Sequence, residues 1–255
     1  MADKKNGSSM LKHHIPNVIT CLNLFCGCLS IVSTFSGRMD LAVYFILVAA
    51  VFDFFDGFAA RFLNAYSELG KQLDSLADMV SFGVAPASIM YNLLLTAATK
   101  PGIYENFFPF GLLIPLLAYL IAVFSALRLA KFNIDTRQTD SFIGLPTPAN
   151  ALFICSLAFM SISDSPLPWL TDSMFFLLAV TFLFSYLLIA ELPLFSLKFK
   201  SFDWKRNKIK YVFVSISALL LLFFHWAGLS FVILLYIIIS IITNKNKNRQ
   251  SKIIN

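Results

Sequence analysis

The chain has 255 residues, 58% hydrophobic and only 13% charged, with 28 phenylalanines and a formal net charge of +6. Soluble domains carry roughly 25% charged residues, so the composition excludes an ordinary water-soluble globule and indicates a polytopic membrane protein. The basic excess is a property of the segments between apolar runs and calls for no nucleic-acid partner.

Eight apolar runs approach the length of about 20 residues needed to cross a bilayer: 17–36, 41–63, 73–98, 107–130, 147–163, 173–193, 209–225 and 228–243. A chain in lipid must satisfy its own backbone hydrogen bonds, and none of the runs alternates as a barrel strand does, so all are read as helices. The first is interrupted by Asn17 and Asn23 and followed by further spans, which marks it as a span and not a cleaved signal. With the N-terminus in the cytoplasm, all but Arg38 and Lys100 of the 20 Lys and Arg residues fall on the cytoplasmic side. Arg128, Lys131, Arg137, Lys198 and Lys200 are among them. That bias predicts both termini in the cytoplasm and a basic face toward anionic membrane lipids; an inner-membrane location of bacterial type is the accompanying expectation.

The polar ends, 1–12 and 244–255, are expected to be mobile. Cys21, Cys26, Cys28 and Cys155 lie in apolar helical sequence without a metal-ligand pattern and are expected to be small packing residues.

The stretch DFFDGFAARFLNAYSELGKQLDSLAD, 53–78, departs from this plain pattern. Asp53 and Asp56 are spaced i, i+3 at the end of the second span. Asp74 and Asp78 are spaced i, i+4 at the start of the third. Each pair shares one helix face, and the short link makes the two helices antiparallel neighbours, so four carboxylates can converge. A lone acid in a span costs about 2.5–3.5 kcal/mol on insertion scales, and mutual repulsion adds to it. Hard oxygen ligands without His or Cys suit Mg2+, Mn2+ or Ca2+. Four carboxylates can hold two such divalent cations and leave one oxygen as a base. A proton or cation pathway also uses intramembrane acids, and the acids alone leave that alternative open. Gly57, Ala60, Gly70 and Ala77 surround them with small side chains that let a backbone or a ligand approach.

These residues match D-x2-D-G-x2-A-R-x8-G-x3-D-x3-D at every spacing, through Asp53, Asp56, Gly57, Ala60, Arg61, Gly70, Asp74 and Asp78. The chain thereby resembles the CDP-alcohol phosphotransferase family, whose members displace CMP from a CDP-linked lipid with an alcohol, using two divalent metals. The resemblance implies an all-α membrane fold with a six-helix core, here 15–195, that is commonly a homodimer. Before it lies the segment 1–14. After it come a basic loop with two extra helices, 196–243, and a basic tail, 244–255. By position, Asp53, Asp56 and Asp74 would be metal ligands, and Asp78 would touch metal and act as the catalytic base. Gly57, Ala60 and Gly70 would make room for the cytidine nucleotide, with Arg61 at its phosphates. Asn17, Thr20 and Asn23, on one face of the first span, would either bind nucleotide or cross-link helices.

Four further segments resemble the phosphatidylserine synthase branch of that family: IPNVITCLNLFCG (15–27), DSLADMVSFGVAPA (74–87), RLAKFN (128–133) and FIGLPTPA (142–149). A looser match is LPLFSLKFK (192–200). The branch usually has Arg where Lys131 stands. The implied substrates are CDP-diacylglycerol and L-serine. Serine brings a carboxylate that needs a cationic or N–H partner, for which Arg128, Lys131 and Asn133 are candidates, with Ser81 one turn beyond Asp78. The nearest alternative is the same chemistry with glycerol 3-phosphate or inositol, and the alternative of another class is a cation transporter.

Overall fold

The computed structural model describes residues 3–100, 113–135, 142–163, 168–194 and 204–254. Residues 107–112 of the fourth expected span, Arg137, Lys198 and Lys200 lie outside them. In chain order come α1 (Asp3–Phe35), α2 (Met39–Phe62) and α3 (Glu68–Asp78). A π-helical turn, Met79–Val84, carries α3 into α4 (Ala85–Ala98). A 3-10 turn, Ile114–Tyr119, leads into α5 (Leu120–Ile134). The rest is α6 (Thr147–Ile162), the short α7 (Pro168–Asp172), α8 (Met174–Ile189) and α9 (Trp204–Ile254).

Among the described residues, five stretches are long and apolar enough to cross a membrane: His14–Phe35, Met39–Phe62, Glu68–Ala98, Ile114–Ile134 and Asn207–Thr243. α6 and α8 are shorter apolar helices. The protein is an all-helical polytopic membrane protein. Glu68–Ala98 is the central span, 61% buried against 28–39% for the other four. Around it the core is apolar, with Ile46 of α2, Met90 and Leu94 of α4, Ile154 and Leu157 of α6, and Leu177 of α8 all buried. Phe153 and Phe184 stack with ring centroids 4.0 Å apart, joining α6 to α8. The outer faces expose Val18, Phe25, Phe54, Phe58 and Phe182, as lipid contact requires.

Local chemistry sets the element ends. Ser67 caps α3 by accepting the Gly70 N–H at 3.0 Å, and Ser173 caps α8 by accepting the Phe176 N–H at 3.3 Å. α6 starts behind Pro146, whose extended backbone is not helical, with a second proline in its first turn. β1 (Phe142–Ile143) and β2 (Pro193–Leu194) form an antiparallel pair, Phe142 opposite Leu194, that ties the entry of α6 to the exit of α8. Gly144 follows with φ +78°, where a Cβ would lie 2.6 Å from the Leu188 carbonyl oxygen, so only glycine fits.

Several expectations need adjustment. α1 begins at Asp3 and α9 continues to Ile254, so both helices extend beyond the bounds expected for their apolar runs. The fourth span extends to Ile134, beyond residue 130. The spans expected at 209–225 and 228–243 are two arms of α9, joined by a sharp reversal at His225, φ 48° and ψ −121°. Phe213 and Tyr236 meet across the arms with centroids 5.9 Å apart, whereas a straight helix would hold them ~35 Å apart. A Cβ on Gly228 would collide with the Leu220 carbonyl, which explains glycine in the turn. Trp226 stacks on Phe159 at 4.2 Å and docks this hairpin on α6. Of the cysteines, Cys26 and Cys155 are buried, but α1 turns Cys21 and Cys28 outward, so those two do not pack the interior.

Candidate active site

α2 and α3 both pack against α1, and the turn between them is short. The cap at Ser67 fixes where α3 begins, and hence which face carries Asp74. Gly70 permits α1 to approach: a Cβ there would lie 3.1 Å from Asn17 Oδ1 and 3.0 Å from Ser67 Oγ. With the helices so placed, one carboxylate oxygen each from Asp53, Asp56 and Asp74 falls within 4.8 Å of the others. Asp78 lies beside Asp53 and Asp74 and faces Arg128 of α5. Asp56 is buried, and its Oδ2 has no hydrogen-bond partner; neither has the buried Asp78 Oδ1.

Orphaned carboxylate oxygens are costly away from water. Oxygen-only donors at this separation are what a hard divalent cation takes. The residues therefore fit a metal site, with Asp53, Asp56 and Asp74 able to hold an ion.

The cluster opens into a cavity of about 790 Å³. α1 supplies Pro16, Asn17 and Thr20, α2 supplies Asp53, Asp56, Gly57, Ala60 and Arg61, and α5 supplies Phe132. The link and α3 supply Ala65, Tyr66, Ser67, Glu68, Gly70, Lys71 and Asp74. Arg61 Nε donates to the Gly57 carbonyl at 2.9 Å, which lays the guanidinium along the cavity wall. Lys71 Nζ donates to the Asn133 carbonyl at 3.3 Å. Thr20 Oγ1 donates to the Pro16 carbonyl at 3.0 Å, and its side chain lies beside Asp56.

Six of the seven residues expected at the nucleotide, Asn17, Thr20, Gly57, Ala60, Arg61 and Gly70, thus share one wall system with the carboxylates. Asn23 does not. It is fully buried on α1, both side-chain amide atoms lack a partner, and its carbonyl accepts Ser81 Oγ at 2.9 Å. That same bond removes Ser81 from the site, because its hydroxyl fastens the π turn to α1 over Gly27. Asn133 is also committed elsewhere, donating to Ser75 Oγ at 2.8 Å. Lys131 is exposed on α5 and is not among the cavity-lining residues. Arg128 is the one of the four serine candidates brought to the carboxylates, where it also donates to Thr147 Oγ1 at 3.3 Å. Sequence reasoning missed Pro16, Ala65, Tyr66, Ser67, Glu68, Lys71 and Phe132 as lining residues; all but Pro16 and Phe132 sit in the link and first turn of α3, inside the motif's unspecified positions.

A polytopic helical membrane protein with a carboxylate cluster at an open cavity is the class these features define. The chain belongs to the CDP-alcohol phosphatidyltransferase family, whose sequence model matches residues 13–187, from α1 into α8. It is similar to the CDP-diacylglycerol–serine O-phosphatidyltransferase of Bacillus subtilis, with 40% identity over 147 residues, 58% of this chain and 76% of that one. The protein of that name from Helicobacter pylori is 29% identical over 241 residues, 91% of this chain and 96% of the relative. The one from Saccharomyces cerevisiae is 35% identical over 174 residues, 62% of this chain and 58% of the relative. The family decides between the open alternatives in favour of an enzyme over a cation pathway.

Proposed function

We propose that the protein transfers the phosphatidyl group of CDP-diacylglycerol to the hydroxyl of L-serine, giving phosphatidylserine and CMP. The convergence of Asp53, Asp56 and Asp74 on one point at the cavity carries the chemistry, and the names of the similar proteins carry the acceptor.

Four acids, Asp53, Asp56, Glu68 and Asp74, line the cavity against two bases, Arg61 and Lys71. A diphosphate would be repelled from such a surface unless cations enter with it. Two ions of Mg2+ or Mn2+, held by Asp53, Asp56, Asp74 and Asp78, fit that need, with Ca2+ as a weaker candidate. When bound, such ions offset charge on the diphosphate and on the departing CMP. Gly57, Ala60 and Gly70 leave room for the nucleotide, Asn17 and Thr20 line its side, and Arg61 meets its phosphates. Asp78 accepts the proton of the serine hydroxyl as that oxygen bonds to the phosphorus carrying the diacylglycerol. The bond from this phosphorus to the CMP oxygen breaks in the same displacement. Arg128, facing Asp78, takes the serine carboxylate.

The proposed arrangement in the membrane has eight crossings, six in the core and two from the arms of α9. α6 and α8, with 16 residues each, are ~24 Å long and reach most of the ~30 Å hydrocarbon thickness. The Lys and Arg distribution supports cytoplasmic termini and a site opening to the cytoplasm, and a homodimer is the proposed assembly. The test is CMP release by the purified protein from CDP-diacylglycerol and Mn2+, with L-serine, glycerol 3-phosphate or inositol supplied singly. Release with serine alone supports the assignment; release with another alcohol keeps the chemistry and overturns the acceptor.

A further inference from the structure

The π turn Met79–Val84 lies within the most buried span and begins directly after Asp78. The Ala85 N–H donates to the Val80 carbonyl, five residues back, where an α-helix bonds four back. The cause stands just beyond the turn. Pro86, in the first turn of α4, has no N–H to give, and in a continuous α-helix its ring would clash with the Phe82 carbonyl. A wider turn ahead of the proline relieves that clash by taking up one residue more than an α turn does. The turn is held from two sides. Ser81 Oγ donates to the Asn23 carbonyl of α1 at 2.9 Å, and Gly83 packs so closely on α5 that a Cβ there would stand 3.2 Å from Ser125 Cβ.

The two halves of the span differ. α4 buries ten of its 14 residues, among them Ile89, Met90 and Leu94, and is fixed in the core. α3 buries only Ala77 and presents Asp74 to the cavity. Each α-helical residue turns the chain by ~100°, so the direction of α3 relative to α4 depends on how many residues the join absorbs. With one absorbed in the π turn, a carboxylate oxygen of Asp74 comes within 4.8 Å of those of Asp53 and Asp56. The same residues wound as plain α-helix would rotate α3 by ~100° about its axis and carry Asp74 and Asp78 out of the cluster.

We infer that Pro86 is a positioning residue: by forcing the π turn it sets the helix register that aims Asp74 and Asp78 at Asp53 and Asp56. This rests on the proposed metal-holding role of these acids and deepens it, tracing their convergence to a buried proline that does not line the cavity. Deleting Val84 turns the bond from Ala85 to Val80 into one that spans four residues, the α spacing. A chain with Pro86→Ala and Val84 deleted therefore runs as regular α-helix with the acids in their present direction.

The wild type, Pro86→Ala, and Pro86→Ala with Val84 deleted are compared by two measurements that need no turnover. One is Mn2+ affinity without substrate, from the electron paramagnetic resonance of the free ion. The other places Asp53→Cys and Asp74→Cys in each chain and measures, by mass spectrometry, the yield of the link that a short thiol-to-thiol reagent forms between them. Pro86→Ala is expected to weaken Mn2+ binding about tenfold or more and to lose most of the cross-link. The shortened chain is expected to regain the cross-link and to bind Mn2+ within about threefold of the wild type. A purely structural proline predicts the reverse: Pro86→Ala keeps the cross-link, and the deletion, by rotating α3, destroys it. Unchanged cross-linking in Pro86→Ala, or a shortened chain that folds without it, overturns the inference. If Pro86→Ala does not fold, the shortened chain decides alone, and anything less than a folded protein with the cross-link counts against it. A wild type that does not bind Mn2+ would overturn the metal reading instead, and the cross-link would still decide the role of Pro86.

Discussion

Asn133 at the end of α5 donates to Ser75 Oγ at 2.8 Å, and its carbonyl accepts Lys71 Nζ at 3.3 Å. Two bonds thus clamp α5 onto α3 beside Asp74, with Ser75 the next residue along. Asn133 is then a positioning residue, and Asn133→Ala is expected to lower kcat about five- to tenfold while moving the serine KM little. Loss of one such bond costs stability of about 1 kcal/mol. A raised serine KM with kcat intact would restore Asn133 to the role of serine ligand.

Arg61 lies along the cavity wall, held by the Gly57 carbonyl. If it meets the phosphates of the nucleotide, Arg61→Ala raises the KM for CDP-diacylglycerol by about tenfold or more and leaves the serine KM within about twofold. Arg61→Lys recovers only part, because a point charge does not replace the planar fork. Steady-state kinetics with each substrate varied in turn distinguishes this from a purely structural arginine, which would disturb both.

The π turn after Asp78 sits directly on α1. A Cβ on Gly27 would lie 2.8 Å from Ser81 Cα and would also collide with Ser81 Oγ. Gly27→Ala therefore forces α1 away from the turn that follows the proposed base. A loss of about 1–3 kcal/mol is expected, read as a lower melting temperature in detergent, together with reduced turnover. Ser81→Ala, which removes only the hydroxyl bonded to Asn23, is milder on both counts.

His225 adopts φ 48° in the reversal of α9, a conformation glycine reaches without penalty. His225→Gly is expected to leave activity unchanged and to raise the melting temperature slightly, whereas the β-branched His225→Val lowers it. Equal melting temperatures for the three proteins would mean the turn is not held in that conformation.

The motif from Asp53 to Asp78 was legible because it obeys helical spacing on both sides of a short link, and three of its acids, Asp53, Asp56 and Asp74, come to one point. The lengths of the apolar runs were legible for the same reason, since bilayer thickness constrains them directly. The direction of Ser81 was not. Extrapolating one helical turn beyond Asp78 assumes 3.6 residues per turn, and the π turn at Met79–Val84 breaks that assumption one residue later. Asn133 looked free because its partner Ser75 is remote in sequence and carries no local signal. The reversal in α9 was legible as the break between the runs 209–225 and 228–243, whereas the positive φ of its histidine was not, because the glycine stands at residue 228 where close packing demands it.

Incorporation of labelled L-serine into lipid by the purified protein, with CDP-diacylglycerol and Mn2+, tests the central claim most directly. The account predicts phosphatidylserine and CMP formed in equal amounts, abolished by EDTA and restored by added Mn2+ or Mg2+. Asp78→Asn should lower the rate by at least about 100-fold while CDP binding persists, as loss of a general base requires. Full activity in EDTA, or an Asp78→Asn protein that turns over normally, would contradict it.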